Sequence, residues 1–485
     1  MQVQSFLRCI YSMTKALLSL PLWATSLVLV SCAPTNPPLA MPSPDLSLTD
    51  ASPATPTTTP TATPIASPSS SPVASSSNSV SNEAILQESW QAYKQRFIQG
   101  DGRVIDREAN DRTVSEGQAY AMLRAVLVGD RETFDRTLNW AESNLRRTNP
   151  NGSLQDSLWA WKWGRDSQGN WRTIDANFAS DGDLDAVTAL ILASRQWNHA
   201  DYLKLARTKL KDLWEHSTFV VDLPRERSNS QSAARWGNRR SIRFFLPGPT
   251  AAFVQPDRVY LNPSYLAPAA LRLFAQADPD RDWMSLVESS YLVLNQSASL
   301  SKIGLPSDWV QFDRATGKFD PVTPPSSLQS LYAFDAYRVW WRVATDAAWF
   351  DAPIAKEYLQ RHLRPIQTTW QAKQAIPARI NLQGEAIVAY ESTAQYAMLY
   401  AAFSVIDPAL AEQIRQQKLL PTYSNGFWDS DSAYYTQNLC WFGLSFPNTN
   451  ALQWLKSASL RQTIGLSSGV ASQIAFSPSS SNAGI

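Results

Sequence analysis

Apolar residues recur along most of this chain at steps of three and four, the spacing that gathers them on one face of a helix. Leu86, Trp90, Tyr93 and Phe97 mark the first such face. Further segments with the same period begin near Glu116, Glu132, Asp183, Tyr202, Ser264, Trp283, Asp335, Ala352, Ser392, Ala409 and Ala433. Between Asn82 and Leu455 the pattern predicts about twelve helices joined by longer loops, with no sustained run of alternating strands. The fold class is therefore all-α. Periodicity alone permits either a closed barrel of helix pairs or a solenoid, and the lack of a fixed-period internal repeat speaks against the solenoid. One stretch departs from the pattern. Phe219 to Leu261 runs FVVDLP, then a polar RERSNSQSAARWGNRR, then IRFFLPG and RVYLNPS, which predicts a short hairpin or a long loop over one end of the helical body. After it, Asn262-Pro263-Ser264 puts a proline where a helix starts.

The flanks have a different composition. From Lys15 the chain reads ALLSLPLWATSLVLVSCA, a basic residue and an apolar run closing on small residues, the layout of an export signal. Leu29-Val30-Ser31-Cys32 resembles the bacterial lipobox, which implies lipidation at Cys32 and a membrane-anchored mature protein; plain secretion is the alternative. Met13 is the more natural start of that signal. Residues 33–81 are almost entirely Pro, Ser, Thr and Ala, too poor in apolar surface to fold, and read as a tether. The expected domains are thus a signal over 1–32, a linker over 33–81, a folded body over 82–466 and a Ser-rich tail over 467–485.

Charge and cysteines narrow the classes. Lys plus Arg (43) and Asp plus Glu (42) nearly cancel, leaving no electrostatic case for nucleic acid or an anionic surface. Cys9, Cys32 and Cys440 form no CxxC pair, and His199, His216 and His362 are scattered, so no metal site is expected. Cys440 reads as a buried thiol.

The most informative stretch is Ala179 to Trp197, ASDGDLDAVTALILASRQW, in which Asp181, Asp183 and Asp185 stand before an apolar helical run. Acids there serve either as caps or as tools, and Ser180 or Asp181 is a plausible cap. The block resembles the signature segment of glycoside hydrolase family 8, which includes bacterial endoglucanases and the endoglucanase that accompanies cellulose synthases. SEGQ around Glu116, YAFDAYRVWWR around Asp335, NPSYLAP around Tyr265 and DSAYYTQNL around Tyr434 and Tyr435 resemble further family segments in the same order.

The resemblance implies an (α/α)6 barrel and an inverting endo-β-1,4-glucanase that needs no cofactor. In such a barrel the second, fourth, sixth, eighth and twelfth helices are inner, so Glu116, Asp181, Tyr265, Asp335 and Tyr434 meet at one mouth. Hydrolysis needs a carboxyl that donates to the leaving oxygen and a second that activates water from the opposite face of the sugar. The family match implies Glu116 as acid, Asp335 as base and Asp181 beside the sugar at the cleavage point, with Asp183 a lesser candidate. Ser115 is a plausible cap for the helix of Glu116, and Gly117 leaves room for substrate. Arg338 falls one turn after Asp335 and is expected to pair with it. Tyr265, Tyr434 and Tyr435 match positions near the cleavage site, where packing explains any one of them equally well. Trp159, Trp161 and Trp163 alternate, which predicts one shared face for stacking sugars, Trp161 being the preferred contact; a hydrophobic lid is the bland reading. Arg235 and Trp236 are weaker candidates for further subsites. The expected partners are a β-linked polysaccharide, the membrane through the lipid and possible cellulose-synthesis machinery, with no nucleic acid and a monomeric chain. Chitosan or xylan as substrate, or a tethered polysaccharide-binding accessory protein, are the alternatives.

Overall fold

In a computed structural model, the structure describes residues 81–223, 240–323 and 326–455. The expected signal with Cys32, the linker through residue 80, Arg235, Trp236 and the tail from Ser467 lie outside the described residues.

Each of the predicted helical segments forms a helix. They are α1 (Asn82–Phe97), α2 (Ser115–Val128), α3 (Arg131–Asn144), α4 (Ser180–Gln196), α5 (Ala200–His216), α6 (Pro268–Ala277), α7 (Trp283–Leu300), α8 (Phe334–Phe350), α9 (Pro353–His362), α10 (Thr393–Ile406), α11 (Pro408–Ile414) and α12 (Tyr434–Ser445). Together they make an (α/α)6 barrel, with the even-numbered helices inside. Burial separates the two rings as their sequences demand. In α2 every residue except Glu116 and Val128 is buried, and in α4 burial is unbroken from Ser180 to Ala193. The outer α3 and α5 bury a single stripe, including Phe134, Leu138 and Ala141 in the one and Ala206, Leu210 and Leu213 in the other. A helix apolar all round has to be enclosed, whereas an amphipathic one covers it. The ring closes where α12 meets α2: Tyr120 packs edge-on against Phe442 with centroids 5.1 Å apart, and Arg124 donates to Asn438 at 3.3 Å. The crossing of α12 over α10 depends on Gly443, where a Cβ would stand 2.3 Å from the Ala397 carbonyl oxygen.

The sixth helix, the third of the inner ring, begins later than its period suggests. Asn262 caps a single 3-10 turn, Pro263–Tyr265, and α6 proper starts at Pro268. A short helix at Thr250–Phe253 and a further one at Arg364–Lys373 were not expected.

Small sheets stiffen the loops. Strand β1 (Thr113–Val114) is followed by β2 (Arg146–Thr148), which pairs with β3 (Leu154–Trp159). Then β4 (Lys162–Arg165) bridges β1 and β5 (Trp171–Asp175). The expected hairpin is present as β6 (Thr218–Asp222) antiparallel to β7 (Ser241–Phe245), with Thr218 opposite Phe245. These strands are too short for their alternation to stand out from the helical background.

The three alternating tryptophans do not share a face, because β3 ends at Trp159 and the chain leaves the strand before β4. Trp159 is buried in the main core and donates its indole N–H to Glu142 at 2.9 Å. Trp163 stacks on Trp171 at 5.1 Å, with Arg103 over both rings. Trp161 joins a separate cluster with Phe253, Tyr260 and Trp309. Cys440 is a buried free thiol, as expected. Among the described residues no helix is long and apolar enough to cross a membrane.

Candidate active site

Three inner helices bring an acid to the same mouth by the same device, an acidic second residue. Glu116, Asp181 and Asp335 each follow the first residue of α2, α4 and α8. None of these helices has a side-chain cap; Val114, Ala179 and Ala333 occupy the cap positions. Ser115 is therefore the first helical residue rather than the expected cap. Its N–H donates to the Trp161 carbonyl at 3.0 Å, while its buried Oγ has no hydrogen-bond partner. Ser180 does not cap α4 either, because its hydroxyl donates to the Leu246 carbonyl at 2.6 Å and ties the helix start to the chain leaving β7. Asp181 accepts only the N–H of its own neighbour Gly182, at 2.9 Å, among backbone donors.

The three acids meet on one guanidinium. Nη1 of Arg338 donates to Oε2 of Glu116 at 2.5 Å and to Oδ2 of Asp181 at 3.0 Å. Nη2 donates to Oδ1 of Asp335 at 2.8 Å and to the Ser264 hydroxyl at 2.9 Å. The expected pairing of Arg338 with Asp335 is thus present, and the arginine also holds the other two acids. Arg338 is 1% exposed, so it positions the acids from beneath. Asn262 donates to the second oxygen of Asp335 at 3.0 Å and accepts from the Ser264 hydroxyl at 2.7 Å. Tyr434 donates to the second oxygen of Glu116 at 3.1 Å. The side chain of Glu116 keeps 15% of its surface open, against 2% for Asp181 and 4% for Asp335, so it is the acid most accessible from the mouth.

One positive charge cannot neutralise three carboxyls, two of them buried and the third 15% open. Burial pushes the Asp181 carboxyl up to about 8, and Glu116 pushes the same way while Arg338 opposes. A proton is therefore held in the cluster near neutrality, next to the Nη1 that Asp181 shares with Glu116. One turn further into the barrel the pattern repeats, with both terminal nitrogens of Arg342 on Asp185 at 2.5 and 2.7 Å.

Close packing makes this geometry possible. A Cβ on Gly182 would lie 2.6 Å from Oγ of Ser115 and 3.0 Å from the Glu116 nitrogen, so only glycine lets α4 approach the start of α2. Gly117 leaves room for a protein side chain, not for substrate: a Cβ there would meet the Tyr434 ring at 3.3 Å.

The remaining candidates divide. Tyr265 is half-buried, with Arg338 5.3 Å from its ring centre and Trp309 6.4 Å away. Trp161 lies in the aromatic cluster that also contains Trp309, and its indole N–H has no hydrogen-bond partner among the described residues. Asp183 turns away from the cluster. It is fully buried, accepts the Trp159 N–H at 3.2 Å and lies 3.7 Å from Lys209; its carboxyl is pushed up to about 7 by burial, with Lys209 opposing. It fastens α4 to β3 and α5, its carboxyl turned toward Lys209 rather than Arg338. Tyr435 likewise donates to the Phe334 carbonyl at 2.6 Å and locks α12 to the start of α8.

Sequence reasoning missed Asn262, Ser264 and Asp308. The first two stand in the sequence only as the flanks of a proline at a helix start, although their place directly before Tyr265 is a usable signal. Asp308 gave none, because the cap residue of the helix it serves, Ala333, lies 25 residues further on. As a possible cation site, Asp212, Glu215 and His216 approach within 4.8 Å on α5, but Asp212 already accepts the Ser157 N–H at 2.7 Å.

A helical barrel whose inner ring gathers three carboxyls at one end, with aromatic rings beside them, has the groups that glycoside hydrolysis requires. The chain belongs to the glycosyl hydrolases family 8, whose model matches residues 69–449. It is 36% identical to an endoglucanase of Xanthomonas axonopodis pv. citri over 273 residues, 56% of this chain and 62% of that relative. It is 28% identical to an endoglucanase of Escherichia coli K12 over 73% of this chain and 85% of the relative. The crystal structure of the endo-1,4-D-glucanase of Vibrio fischeri ES114 superimposes with a TM-score of 0.60 at 26% identity, covering 74% of this chain and 94% of that one.

Proposed function

We propose that this protein is an inverting endo-β-1,4-glucanase acting on cellulose or a related β-glucan. The observation that supports this reading best is the convergence of Glu116, Asp181 and Asp335 on Arg338 at one mouth of the barrel. Glu116 donates its proton to the glycosidic oxygen, and the bond from that oxygen to the anomeric carbon breaks. Asp335 takes a proton from a water that attacks the same carbon from the other face, so the new bond forms with inverted configuration. Arg338 and Asn262, each on a different oxygen of Asp335, aim that carboxylate; Tyr434 does the same for Glu116. Asp181, whose Oδ2 accepts from Arg338, keeps its carboxyl proton for the substrate side and serves as a donor to sugar hydroxyls. Tyr265 and Trp161 offer ring faces to the glucan.

The test is Glu116→Gln, which keeps the size of the side chain and removes the transferable proton. Hydrolysis is expected to fall by about 10²–10⁴-fold with oligosaccharide binding retained; wild-type turnover would remove Glu116 from the mechanism. Wild-type product followed by NMR at early times is expected to be the α-anomer, and an initial β-anomer would remove Asp335 as water-activating base. Reducing-end assays on cellulose, xylan and chitosan separate the polymers, and xylan or chitosan as the preferred one would replace glucan in this reading.

We further propose that residues 82–466 form the catalytic domain and that the chain is exported and held by a lipid on Cys32, which rests on the lipobox-like Leu29-Val30-Ser31-Cys32. Cys32→Ser is expected to move the enzyme from the membrane fraction to the soluble one; unchanged fractionation would end the anchor proposal.

A further inference from the structure

A further buried carboxyl, Asp308, stands behind the proposed base and belongs to none of the segments that carry the family resemblance. It lies in the loop between α7 and β8 (Val310–Asp313), 7% exposed. Its Oδ1 accepts two backbone N–H groups, from Ala333 at 3.1 Å and from Ala336 at 2.8 Å. Those are donors at the start of α8, whose own cap residue, Ala333, has no side chain able to accept them. The Asp308 N–H in turn donates to the Leu331 carbonyl at 2.8 Å, so residue 308 grips the chain on both sides of the helix start. Between those anchor points sits Asp335, with Arg338 one turn on.

We propose that Asp308 is a positioning residue for the water-activating carboxylate: it closes the first turn of α8 from outside the helix and so fixes where Asp335 and Arg338 stand. The inference rests on the reading of Asp335 as base. The groups that bear on Asp308 electrostatically are Asp335 and Arg338 from α8 and the hydroxyls of Tyr332 and Tyr337. Burial, then the Asp335 charge, push the Asp308 carboxyl well above the ordinary range, while the two N–H groups and Arg338 oppose. Burial and the neighbouring Asp335 thus disfavour the ionised form of Asp308. Its ionisation at higher pH would place a second anion against Asp335 and draw on Arg338, which already serves three acids.

Two variants separate the cap from the charge. Asp308→Ala removes both, and kcat is expected to fall about 10- to 100-fold with KM within about twofold, since misplacement of Asp335 affects turnover more than binding. Asp308→Asn keeps an oxygen acceptor for the two N–H groups and cannot ionise. It is expected to recover most of the kcat lost in Asp308→Ala at pH 6 and to move the alkaline limb of kcat/KM to higher pH. An Asn variant no more active than the Ala variant, or one whose alkaline limb coincides with that of the wild type, overturns the proposal. If Asp308→Ala does not fold, the Asn variant's pH profile decides alone. Asp335→Asn measured alongside distinguishes the two failures: activity in that variant breaks the assignment of the base, whereas its inactivity together with an unshifted Asp308→Asn profile breaks only the role of Asp308.

Discussion

The outer and inner helices of this barrel begin differently. On the outside, α1, α3, α7 and α11 start behind Ser81, Asp130, Asp282 and Asp407, whose side chains accept the free N–H groups of the first turn. On the inside, α2, α4, α6, α8 and α12 start behind Val114, Ala179, Ala267, Ala333 and Ala433, none of which can. Of the inner helices that bring no residue of their own to the acid cluster, α10 is capped by Ser392 and α6 has a proline in its first turn. Location alone does not explain the contrast, since α10 lies in the same ring. Two outer helices, α5 and α9, also lack a side-chain cap, and α9 has instead a proline in its first turn. The difference follows function: a capped start is finished, whereas an uncapped one leaves its positive end for carboxyls that have other work. At α8 the missing cap is supplied from a distant loop by Asp308.

The strongest way to break the comparison is to push two inner starts apart. In Gly182→Ala the new methyl would meet not only the Ser115 hydroxyl but also backbone at Glu116, which cannot swing aside. We expect roughly 1–3 kcal/mol of lost stability from overpacking, read by urea denaturation. A loss of activity of about 100-fold is expected beyond it, read by reducing-end assay under conditions where the variant is still folded. Full activity in a stable variant would show that the α2–α4 approach does not set the geometry of the acids.

How much of this was legible beforehand follows the same division. Helix periods were readable because amphipathic outer helices alternate with inner ones at a regular pace, and Trp90 or Phe134 announces its buried face by spacing alone. The acids at helix starts were also readable, since Glu116, Asp181 and Asp335 each precede an apolar run. What could not be read is which way a start turns. Asp181 and Asp183 are two residues apart in one segment, yet one faces Arg338 and the other Lys209. That outcome depends on how α4 is rotated against α2, which Gly182 and Ser115 decide across the barrel. The tryptophans failed for a related reason, because alternation predicts a common face only while a strand continues, and β3 stops at Trp159.

The smallest effects sharpen the comparison through pH, because the two kinds of helix start titrate with opposite sign. At the inner start of α4, burial holds Asp181 at about 8, above the ordinary carboxyl value of 3.8. The folded state thus binds this proton more tightly than the unfolded chain, so the contribution of Asp181 to stability falls as pH rises from about 4 toward 8. Asp181→Asn is expected to lose activity yet to raise Tm relative to the wild type more at pH 8 than at pH 5. At the outer start of α3, burial acts against the charge of Asp130, but Lys94 at 2.9 Å and the donors Thr133 and Trp90 outweigh it and hold its carboxyl below the ordinary value. That stabilisation is complete above the unfolded value and is lost as pH falls through the folded one. Asp130→Ala is therefore expected to cost about 1 kcal/mol at pH 7, with less cost in acid and no change in kcat. Thermal unfolding of both variants across pH 3.5–8.5 checks the pair. Parallel rather than opposed pH trends would show that the inner and outer carboxyls are held alike, and the distinction between finished and working helix starts would fail at its electrostatic root.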